Sequence, residues 1–237
     1  MEYRRRSRHW SRVLSVYPVL RRAMQIDFEK TLIHANERLS VHALRASREA
    51  QVAMFKRFLK IETERLKMRH RFGLSGSEIA RGRSYLVDLV ICRAFEIAAA
   101  ELDPPDLELK TCAAVALGGY GRKDLSPGSD IDILFLYPGR RSEGAKKFAQ
   151  QVLYLLWDIG LTVGHSFRSV AECVDMARRD LHSRTALAES RLITGNQDLF
   201  RRLNRELAGS VYSNRRDTEM FLEAMKAEVK KSDRPKR

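Results

Sequence analysis

Two aspartates separated by a single residue, Asp130 and Asp132, are the side chains of this sequence best placed to do chemistry. They stand in the run Ser129-Asp130-Ile131-Asp132-Ile133-Leu134, whose alternation of polar and apolar residues is that of a strand. On a strand both carboxylates face one way while Ile131 and Ile133 face the other, and the two acids lie roughly 6 to 7 Å apart. Like charges that close are unfavourable unless a cation sits between them. Mg²⁺ suits such a pair, because it takes one or two carboxylates and completes its octahedron with water and phosphate oxygens. Ten residues upstream stands Gly118-Gly119, where the lack of a Cβ lets backbone N–H groups approach a polyphosphate. Arg122 and the Ser129 hydroxyl add further donors to phosphate oxygens. A phosphate cradle beside a dicarboxylate metal site has the parts for metal-assisted phosphoryl or nucleotidyl transfer. The glycine segment lacks the terminal Gly-Lys-Ser/Thr of a Walker A loop. Taken singly, a Gly-Gly turn is common, and acids on a strand serve elsewhere to blunt a sheet edge. The joint order of strand, Gly-Gly, spacer and Asp-hydrophobic-Asp carries the reading.

The elements that must hold these residues follow from periodicity. Asp27 to Arg71 has apolar positions at helical spacing, and Phe72 to Ser77 interrupts it. Ser75 with Glu78 is a capping-box spacing that opens a helix over Ile79 to Ala100, and Asp103-Pro104-Pro105-Asp106 makes a boundary after it. Thr111 to Leu117 is a short apolar run of a buried strand, and Asp130 to Tyr137 is a second strand. Lys146 to Ile159 returns to helical periodicity, and Leu161 to Phe167 reads as a third strand. Ser169 with Glu172 caps a helix through Arg179. Further helices are predicted over Arg184 to Thr194, Asp198 to Leu207 and Asp217 to Lys231.

Composition bounds the class. The 237 residues are 44% hydrophobic and 31% charged, as in a globular protein, and no stretch approaches the roughly 20 apolar residues of a membrane span. The three cysteines, Cys92, Cys112 and Cys173, form no CxxC pair, so neither zinc nor a disulfide framework is expected and a reducing cytoplasm is. The net charge of +14 is spread over Arg4 to Arg12, Lys56 to Arg71 and Lys226 to Arg237. Charge in helical stretches mostly marks solvated faces, and by itself it specifies no base contact, so a nucleic-acid partner is not expected.

The Gly-Gly, spacer, Asp-hydrophobic-Asp pattern resembles the signature of the DNA polymerase β-like nucleotidyltransferases. The longer string GGYGRKDLSPGSDIDILFLY (118–137) resembles the version found in the uridylyltransferases that modify the PII nitrogen-signalling protein. The segments LYLLWDIGLTVGHSFRSVAECVDMARRD, TALAESRLITGNQDLF and SGSEIARGRSYLVD are similar to that family in the same order. The resemblance implies that Asp130 and Asp132 hold the catalytic metals as Mg²⁺, and that Gly118, Gly119 and Ser129 meet the nucleotide phosphates. Arg122 matches the family string. It further implies transfer of UMP from UTP to a tyrosine of a PII-type protein. A third carboxylate is usual on a later strand of the superfamily, but Leu161 to Phe167 carries no acid and offers His165, read primarily as a core or supporting histidine.

The expected architecture is α+β, a small mixed sheet flanked by helical regions: 1–105 helical, 106–180 the nucleotidyltransferase core and 181–237 helical. Relatives of this family continue into an HD hydrolase domain and two ACT domains. No His-Asp doublet occurs here, so the chain is expected to stop before them. Two other functions fit the same residues: nucleotidyl transfer to a small molecule, another protein or an RNA end, and a silent remnant that binds nucleotide without turnover.

Overall fold

The sheet exists because four short segments pair edge to edge, and the one that carries Asp132 lies inside it with a neighbour on each side. The computed structural model describes residues 25–39, 46–71, 74–101, 111–139 and 143–213, with positions 219 and 223. The predicted boundary at Asp103–Asp106, the helix over Asp217 to Lys231 and the terminal basic runs lie outside the described residues, apart from positions 219 and 223. Among the described residues three helices come first: α1 (Gln25–Arg38), α2 (Arg48–Arg71) and α3 (Gly76–Ala100). Helix α3 starts at the predicted capping box, with Ser75 Oγ accepting from the Glu78 N–H and the Glu78 carboxylate accepting from the Ser75 N–H at 2.9 Å.

Strand β1 (Ala113–Ala116), a single helical turn α4 (Gly118–Gly121) and strand β2 (Ile131–Tyr137) follow. Helix α5 (Glu143–Asp158) then crosses to β3 (Val163–Ser169), which pairs parallel with β2. Parallel neighbours need such a crossover, and α5 supplies it. Helix α6 (Val170–Arg179) begins at the second predicted capping box, Ser169 with Glu172. Helix α7 (Leu181–Ala188), strand β4 (Arg191–Gly195) and helix α8 (Gln197–Ser210) complete the described elements.

The sheet order is β3-β2-β1-β4, with β1 antiparallel to both β2 and β4. The fold is thus α+β with a mixed sheet, as expected. One prediction is corrected. Arg184 to Thr194 is not a continuous helix: α7 ends at Ala188 and Arg191–Gly195 is the fourth strand, inside the segment read as helical. Arg191, Leu192, Thr194 and Gly195 find their partners on β1, nearly 80 positions upstream, and Ile193 falls at a register shift between Ala114 and Val115. Nothing local announces such a pairing, although Leu192 and Ile193 pack into opposite clusters as strand neighbours do.

Apolar residues fill both sides of the sheet. On one, Ile131, Ile133, Phe135 and Tyr137 of β2 pack with α1, α2, α3 and α5. There Phe95 stacks parallel to Phe135 at 6.4 Å and meets Phe148 edge-on at 4.7 Å. On the other, Leu134 and Leu136 pack with Val170, Cys173 and Val174 of α6 and with Leu199, Leu203 and Leu207 of α8.

Candidate active site

Asp130 and Asp132 are both exposed, whereas Ile131 and Ile133 are buried, as the strand alternation requires. Asp132 therefore shares its side of the sheet with Leu134 and Leu136, but it lies where the cover of α6 and α8 has ended. Partial burial first, and then the charge of Asp130, raise the Asp132 pKa above the ordinary carboxylate value. That is the electrostatic tension a bound cation would relieve.

The glycine turn sits next to Asp132 because the ladder puts it there. The Leu117 N–H donates to the Asp132 carbonyl at 3.0 Å, and the chain leaves the sheet at the next residue. Gly118 does so with φ +53°, a left-handed conformation that favours glycine. At Gly119 an added Cβ would sit 3.4 Å from the Asp124 carbonyl oxygen, an ordinary contact, so the fold itself tolerates a small side chain there. Gly121 is different. A Cβ on it would collide with the Glu189 carbonyl at the end of α7, which makes this third glycine a packing requirement that the sequence reading did not single out.

Helix α3 buttresses the whole connection from Gly118 to Asp130. Arg83 donates through Nη1 to the Ser126 carbonyl and through Nη2 to the Ser129 carbonyl at 3.4 Å. The buried Ser84 hydroxyl accepts from the Leu125 N–H at 3.2 Å and donates to the Ala80 carbonyl. Further along the helix, Asp88 accepts from the Tyr120 hydroxyl at 2.6 Å. The segment 75–88 thus acts on the site through backbone carbonyls, an amide and a tyrosine hydroxyl.

Ser129 is half-buried directly before Asp130, in a turn closed by its N–H to the Ser126 carbonyl at 3.0 Å. Arg122 is exposed and ion-paired with Glu189, so a phosphate drawing on its guanidinium would compete with that carboxylate. His165 is not beside the acids. In the parallel register it pairs with Ile133, on the α5 side of the sheet, and its ring meets Trp157 edge-on at 5.5 Å. The position opposite Asp132 is Gly164, where an added Cβ would run into the Asp132 carboxylate. Among the described residues no cluster of three or more His, Cys, Asp or Glu side chains forms a ready cation cage. Asp130 and Asp132 nevertheless fit a divalent cation, being two exposed carboxylates two positions apart in the chain.

Residues 107–193 match the family model described as a nucleotidyltransferase domain. Over that stretch the chain carries a nucleotidyltransferase domain. The matched segment contains all four strands except the last two residues of β4, together with both acids and the glycine turn. Three curated proteins named bifunctional uridylyltransferase/uridylyl-removing enzyme are similar to it. That of Azospirillum brasilense is 39% identical over 145 residues, 60% of this chain and 16% of the relative. That of Erythrobacter litoralis is 39% identical over 53% of this chain and 14% of the relative. That of Gluconobacter oxydans is 42% identical over 60% of this chain and 15% of the relative. The aligned part of this chain thus spans only 14 to 16% of the length of these relatives. No helix among the described residues is long and apolar enough to cross a membrane.

Proposed function

We propose that this nucleotidyltransferase domain transfers UMP from UTP to a tyrosine hydroxyl of a PII-type signalling protein, with Mg²⁺ held by Asp130 and Asp132. The observation that carries the proposal is the pair of exposed carboxylates directly beside the Gly118-Gly119 turn, in a domain similar to proteins named uridylyltransferases. In this reaction the phenolic oxygen bonds to the α-phosphorus, the bond from that phosphorus to the bridging oxygen breaks, and pyrophosphate leaves. The phenolic proton passes to solvent or a base.

Each group of the chain has one task in this reading. The backbone of Gly118 and Gly119 and the hydroxyl of Ser129 bind the triphosphate, and Arg122 exchanges Glu189 for a phosphate oxygen. Asp130 and Asp132 orient the cation. Mg²⁺ held by these two acids would supply charge neutralisation for the triphosphate and would lower the pKa of the attacking hydroxyl, which is about 10 in a free phenol.

The test is incubation of the purified chain with Mg²⁺, each labelled nucleoside triphosphate in turn and a PII protein, followed by mass spectrometry of the acceptor. A tyrosine heavier by one UMP, formed with UTP alone, is the expected result. Transfer of a different nucleotide, or nucleotide binding with no transfer to the PII protein, would overturn the donor or the acceptor respectively.

A further inference from the structure

Two side chains that take no part in the assignments above grip the glycine turn from behind. Asp88 lies on α3 and Arg191 opens β4, 103 positions later. The Arg191 guanidinium meets the Asp88 carboxylate bidentately, Nη1 to Oδ2 at 2.8 Å and Nη2 to Oδ1 at 3.0 Å. The remaining reach of the same group goes to two successive carbonyls of the turn, Nη2 to that of Tyr120 at 3.3 Å and Nε to that of Gly121 at 3.2 Å. The Tyr120 ring lies under the guanidinium, 5.4 Å from its carbon, and its hydroxyl donates to Asp88 Oδ1 at 2.6 Å. The side chains of Arg191 and Asp88 are only 14% and 19% exposed.

The consequence follows from peptide planarity. The peptide units 120–121 and 121–122 are rigid plates. Their carbonyl ends are bound to Arg191. Their N–H ends donate to the carbonyls of Leu117 at 2.9 Å and Gly118 at 3.0 Å. Both plates are thus held at both edges, and the orientation of the backbone at Gly118 and Gly119 follows from them. A buried ion pair adds little net stability compared with a well-packed apolar replacement, so its stabilising effect alone is a weak account of this arrangement.

We propose that Arg191, locked in place by Asp88 and Tyr120, is a positioning residue that sets the Gly118–Gly121 turn for nucleotide. The inference rests on the reading of that turn as the phosphate-binding element. The role needs the planar fork of arginine, since a lysine ammonium keeps the charge but cannot serve the carboxylate and two carbonyls together.

The test compares Arg191→Lys and Tyr120→Phe with Arg93→Lys in the full chain. Arg93 is a control on α3, the helix that carries Asp88; it is buried to the same degree as Arg191 and bound to Glu96 and Asn36 away from the turn. The readouts are amide hydrogen exchange of residues 118–124, the thermal midpoint, and the Kd of UTP with Mg²⁺. In Arg191→Lys, exchange at Gly121 and Arg122 should rise roughly tenfold and UTP affinity should fall by a similar factor, as for loss of a charge-assisted hydrogen bond. Arg93→Lys should leave both unchanged. Should Arg191→Lys fail to fold, Tyr120→Phe, which keeps the ion pair, decides: faster exchange in the turn supports the clamp, and wild-type exchange overturns it. Wild-type exchange in Arg191→Lys, or the same loosening in Arg93→Lys, would also overturn it. Exchange is read without nucleotide, so a wild-type chain that binds no UTP would sink the functional reading while the clamp is still decided.

Discussion

The two faces of the sheet are covered to different lengths, and β2 records the difference residue by residue. On the face toward α3 and α5, Ile131, Ile133, Phe135 and Tyr137 are all buried, so that layer runs the full length of the strand. On the opposite face Leu136 and Leu134 are buried under α6 and α8, but Asp132 is exposed. The second layer stops one side chain short of the acids. A carboxylate pair placed under a helix would have cost desolvation with no counter-ion, whereas at the end of a layer it stays hydrated and accessible. The long face acts as scaffold and the short face leaves the chemistry open.

The contrast is broken most severely at the acids. Asp130→Asn and Asp132→Asn should each lower nucleotidyl transfer by roughly 10³-fold or more, the scale of several kcal/mol of lost charge stabilisation. Their thermal midpoints should equal or exceed that of the wild type. The sign follows from Asp132: its raised pKa means that the folded chain binds this proton more tightly than the unfolded chain does. Its contribution to stability is therefore largest below the unfolded carboxylate range and declines as pH rises through the folded value. A transferase assay paired with calorimetry checks both halves, and full activity in both variants would remove the metal assignment.

On the long face the expectation reverses. Phe135→Ala removes a fully buried ring of β2 that stacks on Phe95 of α3 and should cost about 3 to 5 kcal/mol in denaturant unfolding. The glycines of the turn separate the two kinds of effect within four residues. Gly121→Ala forces the α7–β4 connection outward and should destabilise by about 1 to 3 kcal/mol, the usual range for overpacking. Gly119→Val should keep the fold and weaken UTP binding roughly tenfold, because its side chain occupies the approach of the phosphates. If Gly119→Val bound UTP normally in a titration, the turn would not be the phosphate site.

The smallest effect belongs to Lys123, the one non-glycine residue among those described with a positive φ, at 64°. That conformation costs an L-residue about 1 to 2 kcal/mol, and a glycine there recovers it while adding unfolded-state freedom of roughly 0.5 to 1 kcal/mol. Lys123→Gly should therefore raise stability by about 0 to 1.5 kcal/mol, measured by urea unfolding.

What could be read from the sequence and what could not divide along the range of the interactions. Alternation of Asp130, Ile131, Asp132 and Ile133 placed the acids on one side and the isoleucines on the other, since strand parity is a property of neighbouring residues. Both capping boxes, Ser75 with Glu78 and Ser169 with Glu172, were legible for the same reason, each closing within four residues. Strand β4 was read as helix because its partners on β1 are remote. His165 was visible as a polar side chain on β3, but only the register, pairing it with Ile133 and Gly164 with Asp132, showed which face it takes. The need for glycine at 121 appears only when the Glu189 carbonyl is brought against it. The same holds for Asp88 and Arg191, ordinary charges in sequence that become a clamp when α3 and β4 meet. The amino-acid sequence determined by itself the chemistry on offer, because side-chain type, glycine and strand parity are local. Tertiary structure decided which of those groups share a surface and what holds them there, because that depends on contacts a hundred residues apart.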